Sequence, residues 1–358
     1  MIAKTLATCI YKQILYSKST LGFRIFSKIR QILLKCCDPI IRLNFRGSEL
    51  RFPFSHTLFI NQRLYPNYDM QLHKIASYIR SKTGNLCMID VGANIGDTAI
   101  LTNMPQAQFL LIEGEKKYAS LLQENIQSYY GANSIKNLQE ISPKSSISGQ
   151  LGGGILIENC FITDKKGDYQ INLSCGSAKL EKLQDSPNCD FINTNKADST
   201  NSSKLTESSD FKADSAQKLH FKTLDSVVLE HNFAPNFIKI DTDGFDFKVL
   251  RSAENTLQTY KPLVFFEWDL FLLQAQNENP LSIFSNLANL GYQNALIFDN
   301  FGTLLCAYNL KDSINLKLLL AYTKNSDKNI YYYDVLVFPD TGIYDAKECM
   351  EFCNFGTF

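Results

Sequence analysis

The stretch MIDVGANIGDTAI, residues 88–100, contains residues that are well placed for chemistry. A short apolar run stops at Asp90 and passes directly into a turn with two glycines, Gly92 and Gly96. A turn of this kind brings the backbone close to a ligand. It lacks the glycine density of the G-x-G-x-x-G turn, which holds a pyrophosphate at a helix N-terminus. Because Asp90 would repel a pyrophosphate, the pattern favours a ligand that carries positive charge.

S-adenosylmethionine, with its ammonium and sulfonium groups, is a ligand of that kind. The next apolar run, QFLLIE, ends at Glu113, 23 residues after Asp90. In a doubly wound sheet this position faces the ribose of a bound nucleotide, and a carboxylate there accepts hydrogen bonds from both ribose hydroxyls. Glu113 indicates a nucleoside but does not separate S-adenosylmethionine from NAD.

Three further acids lie at or just after the ends of two later apolar runs. Asp241 and Asp243 come after FIKI, and Glu267 stands near the end of LVFFEW. Beside the methionine end of the cofactor, these carboxylates are expected to hold an acceptor hydroxyl, to take its proton, or to bind a divalent cation such as Mg²⁺. For Asp241, the first candidate base, contact with only the cofactor's amino group stays an alternative.

The elements that must position these residues alternate along the chain. Short β-rich runs are separated by segments with helical periodicity, which predicts an α/β fold with a mostly parallel sheet covered by helices on both faces. Ligands of such sheets bind beyond the carboxyl ends of the strands. The predicted strands are CMIDV (87–91), QFLLIE (108–113), ILIENCFI (155–162), FIKID (237–241) and LVFFEW (263–268). The predicted helices include 68–80, 118–130 and 245–260.

These motifs, in this order, resemble those of the FkbM family of methyltransferases. The resemblance covers about residues 86–340 and rests on DVGANIGDTA, LIEGEKKYASLLQENI, ITDKKG with CGSAKL, FKTLDSVVLEH and FIKIDTDGFDFKVLRSAENTL. It implies a class I, Rossmann-like S-adenosylmethionine-dependent fold and usually O-methylation, often of sugar hydroxyls in natural products or surface polysaccharides. The family often has Lys-Ile-Asp-x-Glu-Gly, whereas this chain has Asp243 at the glutamate position, with a side chain one methylene shorter.

The resemblance also assigns roles to individual residues. The methionine part of the cofactor would be held by Asp90, Gly92, Ala93, Asn94 and Gly96. The ribose would be held by Glu113. The adenine would be flanked by the end of the third strand, at Cys160, Phe161 and Ile162, with Thr163 and Asp164 following.

Two other functions compete with a methyltransferase. An NAD-dependent oxidoreductase is disfavoured because the turn lacks the G-x-G-x-x-G pattern. A non-catalytic nucleoside-binding protein with the same fold is disfavoured because Asp90, both glycines, Glu113 and Asp241 are all present.

The composition limits the remaining possibilities. The chain has 36 basic and 36 acidic residues among 358, which gives no electrostatic case for nucleic acid as a partner. No apolar run reaches the roughly 18–20 residues of a membrane span, and no secretory signal is evident. The ten cysteines show no CxxC pair, so reduced thiols in a cytoplasmic protein are expected. The expected partner is a small-molecule or glycan acceptor.

Four regions are predicted along the chain. Residues 1–50 form a basic amphipathic extension, 51–85 a hairpin and a helix that lead into the core, 86–345 the methyltransferase domain, and 346–358 a C-terminal tail. A polar segment, 185–217, is expected to be a flexible insertion because it has few large apolar residues.

The N-terminal region has two interpretations. Residues 1–47 carry nine Lys or Arg and one acid, Asp38, with bulky apolar residues interspersed at helical spacing. Such a segment either lies on the anionic lipid of the inner membrane face, for instance to reach a glycolipid or lipid-linked sugar, or packs on the main domain. Packing is the favoured alternative.

The histidines and the tryptophan are weaker candidates. His56 and His73 either roof the pocket or pack elsewhere, and His220 and His231 are expected on the surface. Trp268 is expected in the core rather than against a sugar ring.

Overall fold

In the computed structural model of the protein, residues 2–131, 133–135, 154–164, 169–174, 177–182, 219–325 and 330–355 are described. The predicted insertion at 185–217 lies outside these ranges.

A central eight-stranded sheet positions the predicted site. Six strands run in one direction, and two, β13 (Leu304–Asn309) and β14 (Tyr333–Pro339), run against them. The expected mostly parallel α/β sheet is therefore confirmed. From one edge to the other the strands are β13 (Leu304–Asn309), β12 (Tyr292–Asp299), β14 (Tyr333–Pro339), β11 (Leu263–Trp268), β10 (Phe237–Ile240), β3 (Cys87–Val91), β4 (Gln108–Ile112) and β5 (Ile155–Glu158).

Helices cover both faces of this sheet, as expected. Successive residues of a strand point to opposite faces, so Met88 packs into one core and Ile89 into the other. The first core is closed by α4 (Met70–Thr83), α5 (Asp97–Leu101), α6 (Lys116–Tyr130) and α13 (Ala346–Cys353). The second is closed by α7 (Leu224–Glu230), α8 (Asp246–Arg251), α9 (Glu254–Tyr260), α10 (Leu270–Ala275), α11 (Ser282–Asn289) and α12 (Ser313–Thr323).

Three two-stranded sheets surround the central one. The alternating residues at 43–54, on either side of Gly47 and Ser48, predict a hairpin, and the structure confirms it. Its two turn residues, Arg46 and Gly47, both have positive φ, at 50° and 88°, as tight hairpin turns require. The three pairs are β1 (Ile40–Phe45) with β2 (Ser48–Pro53), β6 (Phe161–Ile162) with β9 (Phe221–Lys222), and β7 (Tyr169–Ser174) with β8 (Ser177–Lys182).

Two predicted elements are broken in the structure. The strand expected at 155–162 leaves the central sheet after Glu158, because the Asn159 amide donates to the carbonyl of Glu113 and Phe161 pairs with the separate strand β9. The helix expected at 245–260 is interrupted between α8 and α9. There the Asp225 carboxylate accepts hydrogen bonds from the backbone N–H groups of 255 and 256, which starts a second helix.

The N-terminal region contains two helices, α1 (Ile2–Tyr16) and α2 (Thr20–Leu34), followed by the hairpin and by α3 (Leu58–Leu64). One face of α1 packs into the first core, where Tyr11 lies against Phe52 and donates from its hydroxyl to the carbonyl of His56 at 2.7 Å. None of the helices in the described part of the chain has the length and apolar character needed to cross a bilayer.

Replacing Tyr11 with alanine should lower the free energy of unfolding by about 3–5 kcal/mol, because the ring is buried and its removal leaves a cavity. Urea denaturation measures this change. Tyr16→Ala on the same helix is the control, since that side chain is 74% exposed and its loss should stay within about 0.5 kcal/mol. Equal, small effects for both variants would contradict the packing of α1.

Candidate functional site

The predicted site lies at the carboxyl ends of the parallel strands. The chain order reverses beside β3, with β4 on one side and β10 on the other, and ligands of α/β sheets bind at such switch points. Two adjoining cavities open there, and both are lined by Gly92, Asn94, Asp241 and Asp243. We call the smaller one, of about 550 Å³, the nucleoside cleft, and the larger one, of about 1240 Å³, the acidic chamber.

The nucleoside cleft brings together most of the residues predicted for the cofactor. Its lining consists of Val91, Gly92, Asn94, Ile112, Glu113, Gly114, Cys160, Phe161, Ile162, Asp241, Thr242, Asp243 and Phe245. Gly114 had no predicted role. A Cβ atom on it would lie 2.2 Å from the Phe161 ring, so only glycine leaves room for that ring at the wall of the cleft.

The turn after β3 depends on the close approach of two backbones. Gly92 has a φ of +81°, and a Cβ atom there would lie 2.0 Å from the carbonyl oxygen of Asp241. The N–H groups of Gly92 and Ala93 both donate to the carbonyl of Ile112 at 3.0 Å. Gly96 lines neither cavity. It precedes α5 and packs against α6, so its contribution is to fix the end of the turn.

Glu113 holds this turn against the end of β4. Its two carboxylate oxygens accept hydrogen bonds from the N–H groups of Asn94, at 2.9 Å, and Glu115, at 2.8 Å. Burial raises the pKa of Glu113 to about 7, although both hydrogen bonds oppose that rise. Because a carboxylate has about four acceptor sites, each oxygen can still accept a hydroxyl proton from the cleft.

A buried lysine connects the two acidic strand ends. Lys239 on β10 is the register partner of Asp90 on β3. Its ammonium nitrogen lies 3.2 Å from Asp90 Oδ1 and 3.3 Å from Asp241 Oδ2. Burial alone would lower the pKa of Lys239, but the neighbouring carboxylates outweigh it and hold this pKa well above its usual value. The site therefore contains a permanent ammonium that was not predicted as functional, although a lysine inside an apolar strand beside two acids is a recognisable signal.

Two residues predicted to hold the cofactor have their charges engaged elsewhere. The Asp90 side chain is fully buried against Lys239 and lines neither cavity. The Asp164 carboxylate accepts from Arg251 Nε at 2.6 Å and also lies outside both cavities. Each is thus placed to support the wall of the site, and their roles toward a ligand stay predictions.

The acidic chamber gathers carboxyl groups from distant parts of the chain. Those that line it are Asp69, Asp97, Asp241, Asp243, Glu267 and Asp334, and Lys239 also lines it. Burial raises the pKa of Asp69 to about 8 and that of Asp97 to about 6, with neighbouring acids adding to the rise. The pKa values of Glu267 and Asp334 also lie well above their usual range, for the same two reasons. These carboxyl groups therefore keep their protons to a higher pH than usual, and a cationic ligand beside them would favour their ionised form.

Neutral hydrogen-bonding groups complete the chamber. His56, Asn61, Tyr68 and Tyr332 line it beside the acids. Burial lowers the pKa of His56 to about 4, so its ring is neutral and hydrogen-bonds Asn94. Within the described ranges, no three His, Cys, Asp or Glu side chains are placed to hold a metal ion, so the expected Mg²⁺ gains no support.

The remaining histidines and the tryptophan lie outside the site. The expectation that His231 is on the surface is wrong, because it is buried and its Nε2 lies 3.0 Å from Glu158 Oε2. His220 is exposed, and His73 Nδ1 lies 3.0 Å from the carbonyl of Leu101. Trp268 belongs to the core, as predicted, and donates to the carbonyl of Pro280.

Comparison with protein families gives a match for the chain. A model of the FkbM methyltransferase domain matches residues 90–293, more than half of the chain. The chain therefore belongs to the FkbM family of S-adenosylmethionine-dependent methyltransferases. No curated protein sequence matches it.

Several solved methyltransferase structures are similar to the chain. The methyltransferase FkbM from Methylobacillus flagellatus KT has 14% identity and a TM-score of 0.32, over 59% of this chain and 39% of its own. The plantazolicin methyltransferase BpumL, in complex with SAH, has 10% identity and a TM-score of 0.34, over 94% of this chain and 95% of its own. The precorrin-6y C5,15-methyltransferase from Geobacter metallireducens GS-15 has 9% identity and a TM-score of 0.32, over 74% of this chain and 87% of its own.

Replacing Lys239 with methionine should lower the free energy of unfolding by about 3–5 kcal/mol at pH 8, because Asp90 then stays buried without a counter-charge. Burial raises the pKa of Asp90, and stability due to a carboxyl with a raised pKa is lost as pH increases through that value. The loss should therefore be smaller at pH 5 than at pH 8. Denaturant titrations at both pH values measure the difference.

Lys261→Met is the matched control, since that ammonium donates to the backbone carbonyl of Leu290. The decrease in the free energy of unfolding caused by Lys261→Met should be the same at pH 5 and pH 8. If the loss caused by Lys239→Met were also the same at both pH values, the pairing of Lys239 with Asp90 would not be what stabilises the fold.

Proposed function

We propose that this protein transfers a methyl group from S-adenosylmethionine to a hydroxyl oxygen of a sugar, in a glycan or glycolipid precursor. Membership of the family supports methyl transfer as the reaction and S-adenosylmethionine as the cofactor. The choice of oxygen and of a sugar is supported by one observation, the large acidic chamber that adjoins the nucleoside cleft at Asp241.

The residues of the nucleoside cleft fit the cofactor. The Gly92 turn leaves the space that a side chain would fill, Glu113 has acceptor sites for two ribose hydroxyls, and Phe161 offers an aromatic face for the adenine. The carboxyl groups around Lys239 suit an ammonium and a sulfonium. When bound, S-adenosylmethionine supplies an activated methyl group.

The acidic chamber suits an acceptor with many hydroxyl groups. Carboxylates accept hydrogen bonds and charged acceptors strengthen them, while sugar hydroxyls are donors. Asn61 and the two tyrosines of the chamber can complete such a network. A phosphate or a uronic acid would disfavour the ionised form of these carboxyl groups still further, so a neutral or amino-bearing sugar is the expected class.

Asp241 is the residue placed between the two ligands. Its side chain is 56% exposed, and it lines both cavities while Lys239 holds it from behind at 3.3 Å. A carboxylate there can orient the acceptor hydroxyl in line with the methyl carbon and take its proton. Asp243 and Glu267 line the same chamber and can hold neighbouring hydroxyls. The alternative, in which Asp241 binds only the cofactor's amino group, predicts a different kinetic defect.

Replacing Asp241 with asparagine should reduce turnover about 100- to 10,000-fold, because the amide cannot accept the proton. The affinity for S-adenosylmethionine should change less than about threefold if Asp241 acts on the acceptor. Single-turnover methyl transfer and calorimetry measure the two quantities separately. The control is Asp340→Asn, because Asp340 is exposed, and this variant should keep the turnover and the affinity for S-adenosylmethionine of the wild type. A loss of cofactor affinity with normal turnover at saturation would favour the amino-group role instead.

The acceptor class is tested by incubating the full chain with methyl-labelled S-adenosylmethionine and glycan extracts separated by anion exchange. We expect the label in neutral or amino-bearing fractions, and we expect hydrolysis to yield a methylated sugar ether. Heat-inactivated protein and the Asp241→Asn variant are the controls. Label found only as carboxyl methyl esters in the acidic fractions, or only in protein, would reject the proposal.

A further inference from the structure

The second helix of the chain presents two different faces. Its inner face, which includes Phe23, Phe26, Ile29 and Leu33, packs against the first core. Its outer face is exposed and carries apolar and basic side chains at the spacing of a single helical stripe. We call this stripe the basic-apolar stripe of α2, and it consists of Leu21, Arg24, Ile25, Lys28, Ile32 and Lys35.

The apolar members of this stripe are strongly exposed. Leu21 is 67% exposed, Ile25 47% and Ile32 64%. The first helix, α1, also has exposed apolar side chains: Ile2 is 86% exposed and Leu6 is 48% exposed. Large apolar side chains in such an arrangement indicate an interaction surface rather than scattered surface residues.

The charge of this surface is of one sign. Residues 1–37 contain seven Lys or Arg and no Asp or Glu, whereas the whole chain is neutral. A helix with exposed apolar residues between basic ones lies in the interface of a membrane, where the apolar groups enter the lipid and the basic groups contact anionic headgroups. A nucleic acid would match the charge but offers no environment for the three exposed apolar side chains.

Hydrogen bonds tie this surface to the wall of the acidic chamber. The Tyr11 hydroxyl donates to the carbonyl of His56, Arg30 Nε donates to that of Phe54 at 3.0 Å, and Arg63 on α3 donates to that of Ser17 at 2.6 Å. His56 itself lines the chamber. The two helices are thus held on the segment that closes the chamber.

We propose that the basic-apolar stripe of α2 docks the protein on the surface of an anionic phospholipid bilayer. The inference rests on the stripe and its charge, and it holds whether or not the acceptor is a sugar. If the proposed function is also correct, docking keeps the chamber close to acceptors carried on lipid.

The test is sedimentation of the full chain with vesicles, without cofactor or acceptor, so that its outcome is independent of the proposed methyl transfer. Deletion of residues 1–47 is unsuitable because it would remove Tyr11 and Ile14 from the core. Vesicles of phosphatidylcholine alone are compared with vesicles that also contain phosphatidylglycerol. The chain should sediment with the anionic vesicles only, and raising the salt from about 0.1 M to about 0.5 M should release it.

Charge reversal separates the stripe from the overall charge. Arg24→Glu with Lys28→Glu should weaken vesicle binding at least about tenfold, since each basic group near an anionic surface adds to the attraction. Lys317→Glu on α12 with Lys324→Glu at its C-cap changes the net charge equally at exposed positions elsewhere and should leave binding within about twofold.

Apolar contacts are tested in parallel. Leu21→Ser with Ile25→Ser should weaken binding at least about tenfold, and the matched pair Ile314→Ser with Leu318→Ser, which are 71% and 62% exposed, should not. Circular dichroism and cofactor titration confirm that each variant is folded. A wild-type chain that stays in the supernatant with anionic vesicles, equal binding to both kinds of vesicle, or equal effects of the α2 and α12 variants would overturn the proposal.

Discussion

The site depends on the ion pair between Lys239 and the two acidic strand ends that it joins. Asp90 is fully buried, and a buried carboxylate without a counter-charge would either take up a proton or destabilise the fold. The ammonium of Lys239 lies within 3.3 Å of both Asp90 and Asp241. It therefore allows β3 and β10 to end in acids side by side at the switch point of the sheet, where ligands of α/β sheets bind.

One ammonium does not neutralise the surrounding carboxyl groups. Asp69 and Asp97 approach Lys239 closely enough to interact with it, and their pKa values are nevertheless raised, mainly by burial. A cationic ligand would lower these pKa values and release protons as it binds. Under the proposed function, the carboxyl groups and the hydrogen-bonding side chains of the acidic chamber would favour a positively charged cofactor and a hydroxyl-rich acceptor.

Sequence motifs predicted those parts of the site that are local in the chain. Gly92, Asn94 and Glu113 lie at two neighbouring strand ends, so the order of the motifs and the family resemblance single them out, and all three line the nucleoside cleft. Asp69 and Asp334 could not be found in this way, because only the packing of α4 and the reversed direction of β14 bring them together.

The errors have physical causes as well. The strand expected at 155–162 rests on the apolar, β-rich residues on either side of Glu158 and Asn159, a pattern that cannot show that Asn159 turns the chain out of the sheet. His231 was expected on the surface because it follows a helix, yet Glu158 on a distant strand provides it with a buried partner. In the N-terminal region, helical periodicity identified the helices, but only the structure distinguishes the packed face of α1 from the exposed stripe of α2.

The central claim is that the strand ends around Lys239 and Glu113 form a cradle for a cationic nucleoside. Calorimetric titration of the full chain with S-adenosylmethionine and, separately, with NADH tests it most directly. The account predicts one saturable site per chain for S-adenosylmethionine, weakened about tenfold or more by Glu113→Gln, since hydrogen bonds to a charged acceptor are the stronger ones, and no saturable binding of NADH. Saturable NADH binding that S-adenosylmethionine does not displace would contradict it.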